Sequence, residues 1–263
     1  MRKSIDGNIS CSRPLANALA LLVLGFSAAA ATWASESSDS RLEISDLTTG
    51  IGEVRLIDLA KGLKVRLNTG THVRVRGTGS YRAVELVAGE CMFELEPNTG
   101  HTLEVNTTSV VVSDGNARFD VKRDAHSTTV VVIDGTAVVH RRPKELKPLR
   151  LQAGEEVEFP ATRESVRFRR MNEVDQMRRT AWTQGRLWFE GEPLSRVVAQ
   201  INRYNDRRLV IGDPSLDSIS ISGVFRPTDI TNFLKALAPF GIQPAESDTP
   251  TAYSDLVLVS SAH

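Results

Sequence analysis

The chain has 263 residues, of which 41% are hydrophobic and 24% charged, with 32 basic residues against 32 acidic ones. That length bounds the chain to one or two domains, and the composition is that of an ordinary soluble protein, which excludes chain-wide disorder and a multi-span membrane protein. A net charge of zero argues against a dedicated nucleic-acid binder, and two cysteines cannot build a disulfide framework.

Residues 1–13 carry Arg2, Lys3 and Arg13 against Asp6, and residues 14–35 carry no charge. An uncharged run of this length meets the roughly 20 residues a membrane span needs. The basic flank predicts a short cytoplasmic tail over 1–13 and export of the chain beyond the uncharged run. Two readings of 14–35 stay open: an uncleaved transmembrane helix, or a signal peptide cut near the small residues Ala28 to Ala31. In either case residues 36–263, with a net charge of −2, lie beyond the inner membrane. Cys11 is then removed or on the other side, so Cys91 is expected to be a lone buried thiol.

From residue 48 to 160 the pattern is that of strands. Leu63 to Leu67, Val73 to Arg76 and Ala117 to Val121 alternate apolar and polar residues, the mark of sheets with one dry face. Glycines recur at turn-like spacing, and Asp134-Gly135 between two apolar runs predicts a hairpin. The expectation is an all-β domain, a β-sandwich or β-roll. Residues 161–185 interleave Arg163, Arg167, Arg169, Arg170, Arg178 and Arg179 with Glu164, Glu173 and Asp175; they are expected to be a solvated linker, with a site for an anionic partner as the alternative.

Residues 186–263 read as α+β. Leu194, Val197, Val198, Ile201 and Tyr204 recur at helical spacing behind Pro193, and Ile230, Phe233, Leu234 and Leu237 do so behind Thr228, a candidate cap. With strands at Leu187, Leu209 and Ile219 and closing strands at Ile242 and Leu256 to Val259, the order is read as β-α-β-β-α-β. Trp182, Trp188, Arg203, Tyr204 and Asn205 are the candidate partner-binding residues, because aromatic and arginine side chains dominate binding hot spots. Tyr204 and Phe189 sit on the apolar stripe and are expected to be buried. Trp182 is compatible with burial or exposure, and Arg203 and Asn205 fall on the polar side of their helix. The histidines lack ligand spacing, and no nucleophile elbow or phosphate loop is present, so no catalytic residue, metal or cofactor is expected.

Five stretches of the β region carry a resemblance: LKVRLNTGTHVRV (63–75), VELVAGECMFEL (84–95), SDGNARFDV (113–121), VVVIDGTAVVH (130–140) and LQAGEEVEF (151–159). A sixth is AWTQGRLWFEGEPLSRVVAQINRYNDRRLVI (181–211). In order and spacing they resemble the FecR-like (ferric-dicitrate sensor) family of periplasmic sigma-factor regulators, over about residues 50–245. The matching positions include Gly89, Glu90, Phe93, Gly115, Phe119, Trp182, Gly185, Pro193 and the Asn202-Arg203-Tyr204 cluster. The last 75 or so residues resemble the secretin and TonB short N-terminal domain. Two departures stand out: Lys61-Gly62-Leu63 replaces the family's Asp-Gly-Ser turn, and thirteen residues before the span cannot bury a core as the family's anti-sigma region does.

The resemblance implies a single-pass inner-membrane protein with its bulk in the periplasm. It implies a signal passed from the periplasmic signalling domain of an outer-membrane TonB-dependent receptor to an extracytoplasmic-function sigma factor, in iron-uptake type signalling, with no enzymatic activity and no cofactor. The alternative is a soluble periplasmic binding or assembly module, released by signal cleavage, with no sigma-factor contact.

Overall fold

The computed structural model of the protein describes residues 43–142, 147–162, 165–245 and 255–260. The tail 1–13, the uncharged segment 14–35 and Cys11 lie outside the described residues. Among the described residues no helix is long and apolar enough to cross a membrane.

Eleven strands form one sheet: β1 (Glu43–Thr48), β2 (Arg55–Ala60), β3 (Leu63–Leu67), β4 (His72–Thr78), β5 (Tyr81–Leu95), β6 (Thr102–Asn106), β7 (Val110–Arg123), β8 (Ser127–Arg141), β9 (Leu149–Gln152), β10 (Glu155–Pro160) and β11 (Arg167–Arg170). The alternation that predicts β3 is realised residue by residue: Leu63, Val65 and Leu67 are fully buried and the lysine and arginine between them are not. The sheet rolls because three strands are long and change partners midway. Residues 81–88 of β5 pair with β4, while residues 89–95 pair with β3 and β7. The change falls at Gly89, whose φ of +97° bends the strand in a way a side chain resists.

The Asp134-Gly135 hairpin is not formed. Gly135 lies inside β8, opposite Ala117 of β7, and the same β7 continues to pair on both sides of it. Its φ of +75° serves a bulge in a continuous strand instead of a turn between two. One core fills the roll. At its centre Phe93 and Phe119, register partners on β5 and β7, stack with ring centroids 5.3 Å apart. Cys91 is a buried free thiol beside them.

The segment expected to be a solvated linker is structured. It holds β11, which pairs with β10, then helix α1 (Glu173–Thr180), capped by Asn172, and a short 3₁₀ turn over Ala181–Gln184. Its arginines find carboxylates one strand away, as in the 2.7 Å pair of Arg170 with Glu155, and interleaving in sequence could not show those partners.

The second module contains β12 (Leu187–Pro193), α2 (Leu194–Asn202), β13 (Leu209–Ile211), β14 (Ser220–Phe225), α3 (Ile230–Leu237), β15 (Ile242–Pro244) and β16 (Leu256–Ser260). The two closing strands are separate elements, and the five strands are divided between a β12–β14 ribbon and a β13–β16–β15 sheet. The three-residue β13 pairs with β16 from the far end of the chain, a partner no local pattern announces. Helix α2 buries Leu194, Val197, Val198 and Ile201, each burial contributing about 1.5–3 kcal/mol. Asp229, not Thr228, caps α3: the helix begins at Ile230, and the Asp229 side chain accepts from the Asn232 N–H at 3.0 Å.

Candidate functional site

The site begins with strand alternation. On β5, β7, β8 and β10 one set of side chains fills the core. The other set is Glu90 and Met92, Asp120 and Lys122, Thr129 and Val131, Glu156 and Glu158. Register makes these a contiguous patch: Glu90 stands opposite Lys122, Met92 opposite Asp120, and Glu156 opposite Val131. A face of this polarity belongs in water, yet Asp120 and Val131 are fully buried, and Glu90 is 1% exposed. Arg179 from α1 and Arg203 from the end of α2 reach its carboxylates.

Glu90 is the keystone. Its Oε1 lies 2.6 Å from Arg179 Nη1, and its Oε2 lies 2.8 Å from Arg203 Nη2. The Asn68 side-chain amide donates to Oε2 at 2.8 Å. Arg179 also reaches Asp120 Oδ2 at 3.0 Å and Glu156 Oε2 at 3.6 Å. A buried carboxylate left alone would cost several kcal/mol, so this saturation by two guanidiniums and an amide is what permits its burial. Backbone contacts fix the same docking, because the Thr69 hydroxyl donates to the Arg203 carbonyl at 2.8 Å. At Gly52 a side chain would come within 3.0 Å of the Tyr204 carbonyl.

Burial alone would raise the Glu90 carboxyl, but Arg179, Arg203 and Lys122 hold it well below the usual carboxylate range. Asp120 goes the other way. Burial, with the Glu90 charge adding to it and Arg179 opposing, pushes it up to about 8. Two buried carboxyls share Arg179; Glu90 takes the charge and Asp120 the proton. Burial pushes the Lys122 ammonium down, and it pushes Tyr204, which also faces the Glu90 charge, up to about 12.

The sequence-predicted residues mostly converge here. Trp182, Trp188, Arg203 and Tyr204 all line one cleft of about 410 Å³ between the sheet face and the second module, together with Glu90 and Lys122. Trp182 and Tyr204 are buried and Trp188 is half-buried. Asn205 is not part of the cleft. Its amide donates to the carbonyls of Ile201 and Pro227 at 2.8 and 2.6 Å, so it ties the end of α2 to the loop before α3. Its neighbours on the chain divide the work differently. Asn202 exchanges two 2.8 Å hydrogen bonds with the backbone of Leu209 and pins β13, while Arg203 leaves the module for Glu90.

Sequence reasoning missed Asp120 and Lys122 as site residues, and placed Arg179 only within a basic stretch favoured as a linker. Period two marks Asp120 and Lys122 as members of a wet face and carries no sign of what covers it. A faint signal exists at Glu90, a lone acid entering the apolar run Cys91-Met92-Phe93. Among the described residues no group of three or more His, Cys, Asp or Glu side chains is placed to hold a metal ion. The chemistry available at the cleft is charge pairing and aromatic contact.

Residues 45–138 match the family described as FecR protein. The matched span runs from β1 into β8 and includes Glu90, Asp120 and Lys122, but neither arginine that reaches them. No curated protein matches the chain. Two crystal structures of a candidate anti-sigma factor from Parabacteroides distasonis ATCC 8503, at 2.50 and 1.65 Å resolution, are similar in fold, each with a TM-score of 0.65 and 24% identity. The likeness covers 84% and 83% of this chain and 100% of theirs.

Proposed function

On the premise that residues 45–138 form a FecR domain, we propose that this chain regulates a sigma factor from outside the cytoplasm. Residues 14–35 anchor it in the inner membrane, and the rest lies in the periplasm. The second module, of the secretin and TonB short N-terminal type, receives the periplasmic signalling domain of a TonB-dependent receptor. The receptor adds a strand to an open sheet edge, and the binding state passes through the FecR domain to the span and on to an extracytoplasmic-function sigma factor. Iron is sensed indirectly by the receptor, so the chain needs no iron ligand.

The observation that carries this reading is the Glu90 clamp. Two modules with separate hydrophobic cores are joined by a carboxylate on the sheet, which holds Arg203 of the second module and Arg179 of the helix between the two. A partner bound to the second module therefore acts directly on the sheet. The fold likeness to a candidate anti-sigma factor is in keeping with it.

A transcriptional reporter for the regulated genes tests the proposal. In cells making the full chain, the reporter should respond to the receptor's inducer. Deleting residues 186–263 should uncouple it. A receptor mutant that cannot bind this chain and still switches the reporter would overturn the proposal. Mass spectrometry of the N-terminus decides the anchor, since a soluble chain beginning within residues 29–36 would leave only the soluble binding-module reading.

A further inference from the structure

This inference is independent of the sigma-factor reading and requires neither receptor nor sigma factor. The docking of the second module onto the sheet is incomplete, and the 410 Å³ cleft is what remains open. Its sheet wall carries Glu90, Glu156 and Glu158, and its other wall carries Arg196, Arg203 and the indole of Trp188. Acid thus lines one wall and arginine the other, and Glu90 and Arg203 already meet where the walls touch.

Most of these charges are already matched. Glu90 holds Arg179 and Arg203, and Arg178 pairs with Asp175 and Glu190. Two cations lining the cleft make no direct ion pair among the described residues: exposed Arg196, and half-buried Lys122, whose charge acts on its register partner Glu90. The docked state also leaves buried polar atoms without hydrogen bonds among the described residues, namely Asp120 Oδ1 and the Nε1 of Trp182, which is 3% exposed. Buried polar groups are normally satisfied, so this interface is not at its tightest. Among the described residues neither hydrophobic cluster spans it, and the desolvation of buried charges offsets much of their attraction.

A ligand bringing carboxylates would meet these two cations in the cleft and an indole wall for its apolar atoms. It would also offer Arg203 the same chemistry that Glu90 offers now. We propose that the cleft binds an acidic peptide segment, whose carboxylates seat on Arg196 and Lys122 and compete with Glu90 for Arg203. Occupancy and tight docking of the second module then oppose each other through one carboxylate.

The test uses the full chain in a nonionic detergent, its tryptophan fluorescence titrated with hexaglutamate, and with hexalysine at matched ionic strength as the control. Hexaglutamate should give a saturable change and hexalysine none, and Trp188→Phe should remove most of the change. Arg196→Ala should weaken binding by about tenfold, the loss of one charge-assisted contact. Glu90→Gln should tighten it by several fold, because the internal competitor has lost its charge. Absence of a saturable change, equal affinity in Arg196→Ala, or weaker binding in folded Glu90→Gln would each overturn the proposal. If circular dichroism shows Glu90→Gln to be unfolded, Lys122→Met takes its place, and unchanged affinity there overturns it equally. Failure of this titration would leave receptor-dependent reporter switching intact, so the two proposals fail separately.

Discussion

Glu90 and Arg203 stand 113 positions apart in the chain, and Glu90 Oε2 lies 2.8 Å from Arg203 Nη2. The carboxylate belongs to the middle of a strand in the rolled sheet, the guanidinium to the end of a helix in the second module. Because the carboxylate is buried, this contact is one the fold cannot lose cheaply. Solvent cannot take over the role of the missing partner.

Arg203→Ala should therefore destabilise the chain by about 3 kcal/mol, since it strips a buried carboxylate of one of its two cations. Glu90→Ala should cost a similar amount, because Arg203 loses its carboxylate and Arg179 the nearest of its three. The double variant should cost less than the sum of the singles, and urea unfolding of all four proteins measures the coupling. Additive losses would mean the two residues do not act through each other.

Asp120 gives the stability a pH dependence with a definite sign. Its folded value of about 8 lies above the ordinary 3.8, so its stabilising contribution is complete below about 3.8 and is lost as pH rises to about 8. Glu90 is lowered from 4.5, so its contribution is complete above that value and is lost as pH falls below it. Together they set a maximum at about pH 4. Urea midpoints should fall between about pH 5 and pH 8 in the wild type and stay level in Asp120→Asn, whose amide replaces the protonated acid. A wild-type midpoint that rises over this range would contradict the assignment.

Gly89 places Glu90. A side chain at this position would come 2.6 Å from Thr71 Cα, on a backbone with φ of +97°. The Thr71 hydroxyl accepts from the Glu90 N–H at 3.1 Å, so displacing it also displaces the keystone. Gly89→Ala should lower stability by about 3 kcal/mol from overpacking and left-handed strain combined. A thermal melt within a degree or two of wild type would show that the strand relaxes freely there.

Asn205→Ala separates a structural role from a binding one. It deletes two side-chain to backbone hydrogen bonds inside the second module, worth about 1 kcal/mol each. Hydrogen exchange should accelerate at the end of α2 and around Pro227, while hexaglutamate binding stays at the wild-type level. A loss of binding without a loss of protection would return Asn205 to the partner-contacting set.

Local pattern determined much of this protein. Alternation in Leu63 to Leu67 and Ala117 to Val121 specified strands and their dry face, and the spacing from Leu194 to Ile201 specified the buried side of α2, because side-chain direction repeats with the period of the backbone. The same periodicity assigned Glu90, Asp120 and Lys122 to the wet face of the sheet. Only the tertiary structure decided that much of this face is not wet. Covering it required α1, from a stretch that composition marked as a linker, and Arg203, more than a hundred residues downstream. The Asp134-Gly135 bulge was hidden for a related reason: a glycine with positive φ serves a turn or a bulge equally well, and the choice depends on whether a neighbouring strand continues past it. Periodicity is a property of one segment, whereas the burial of a charge is a property of two.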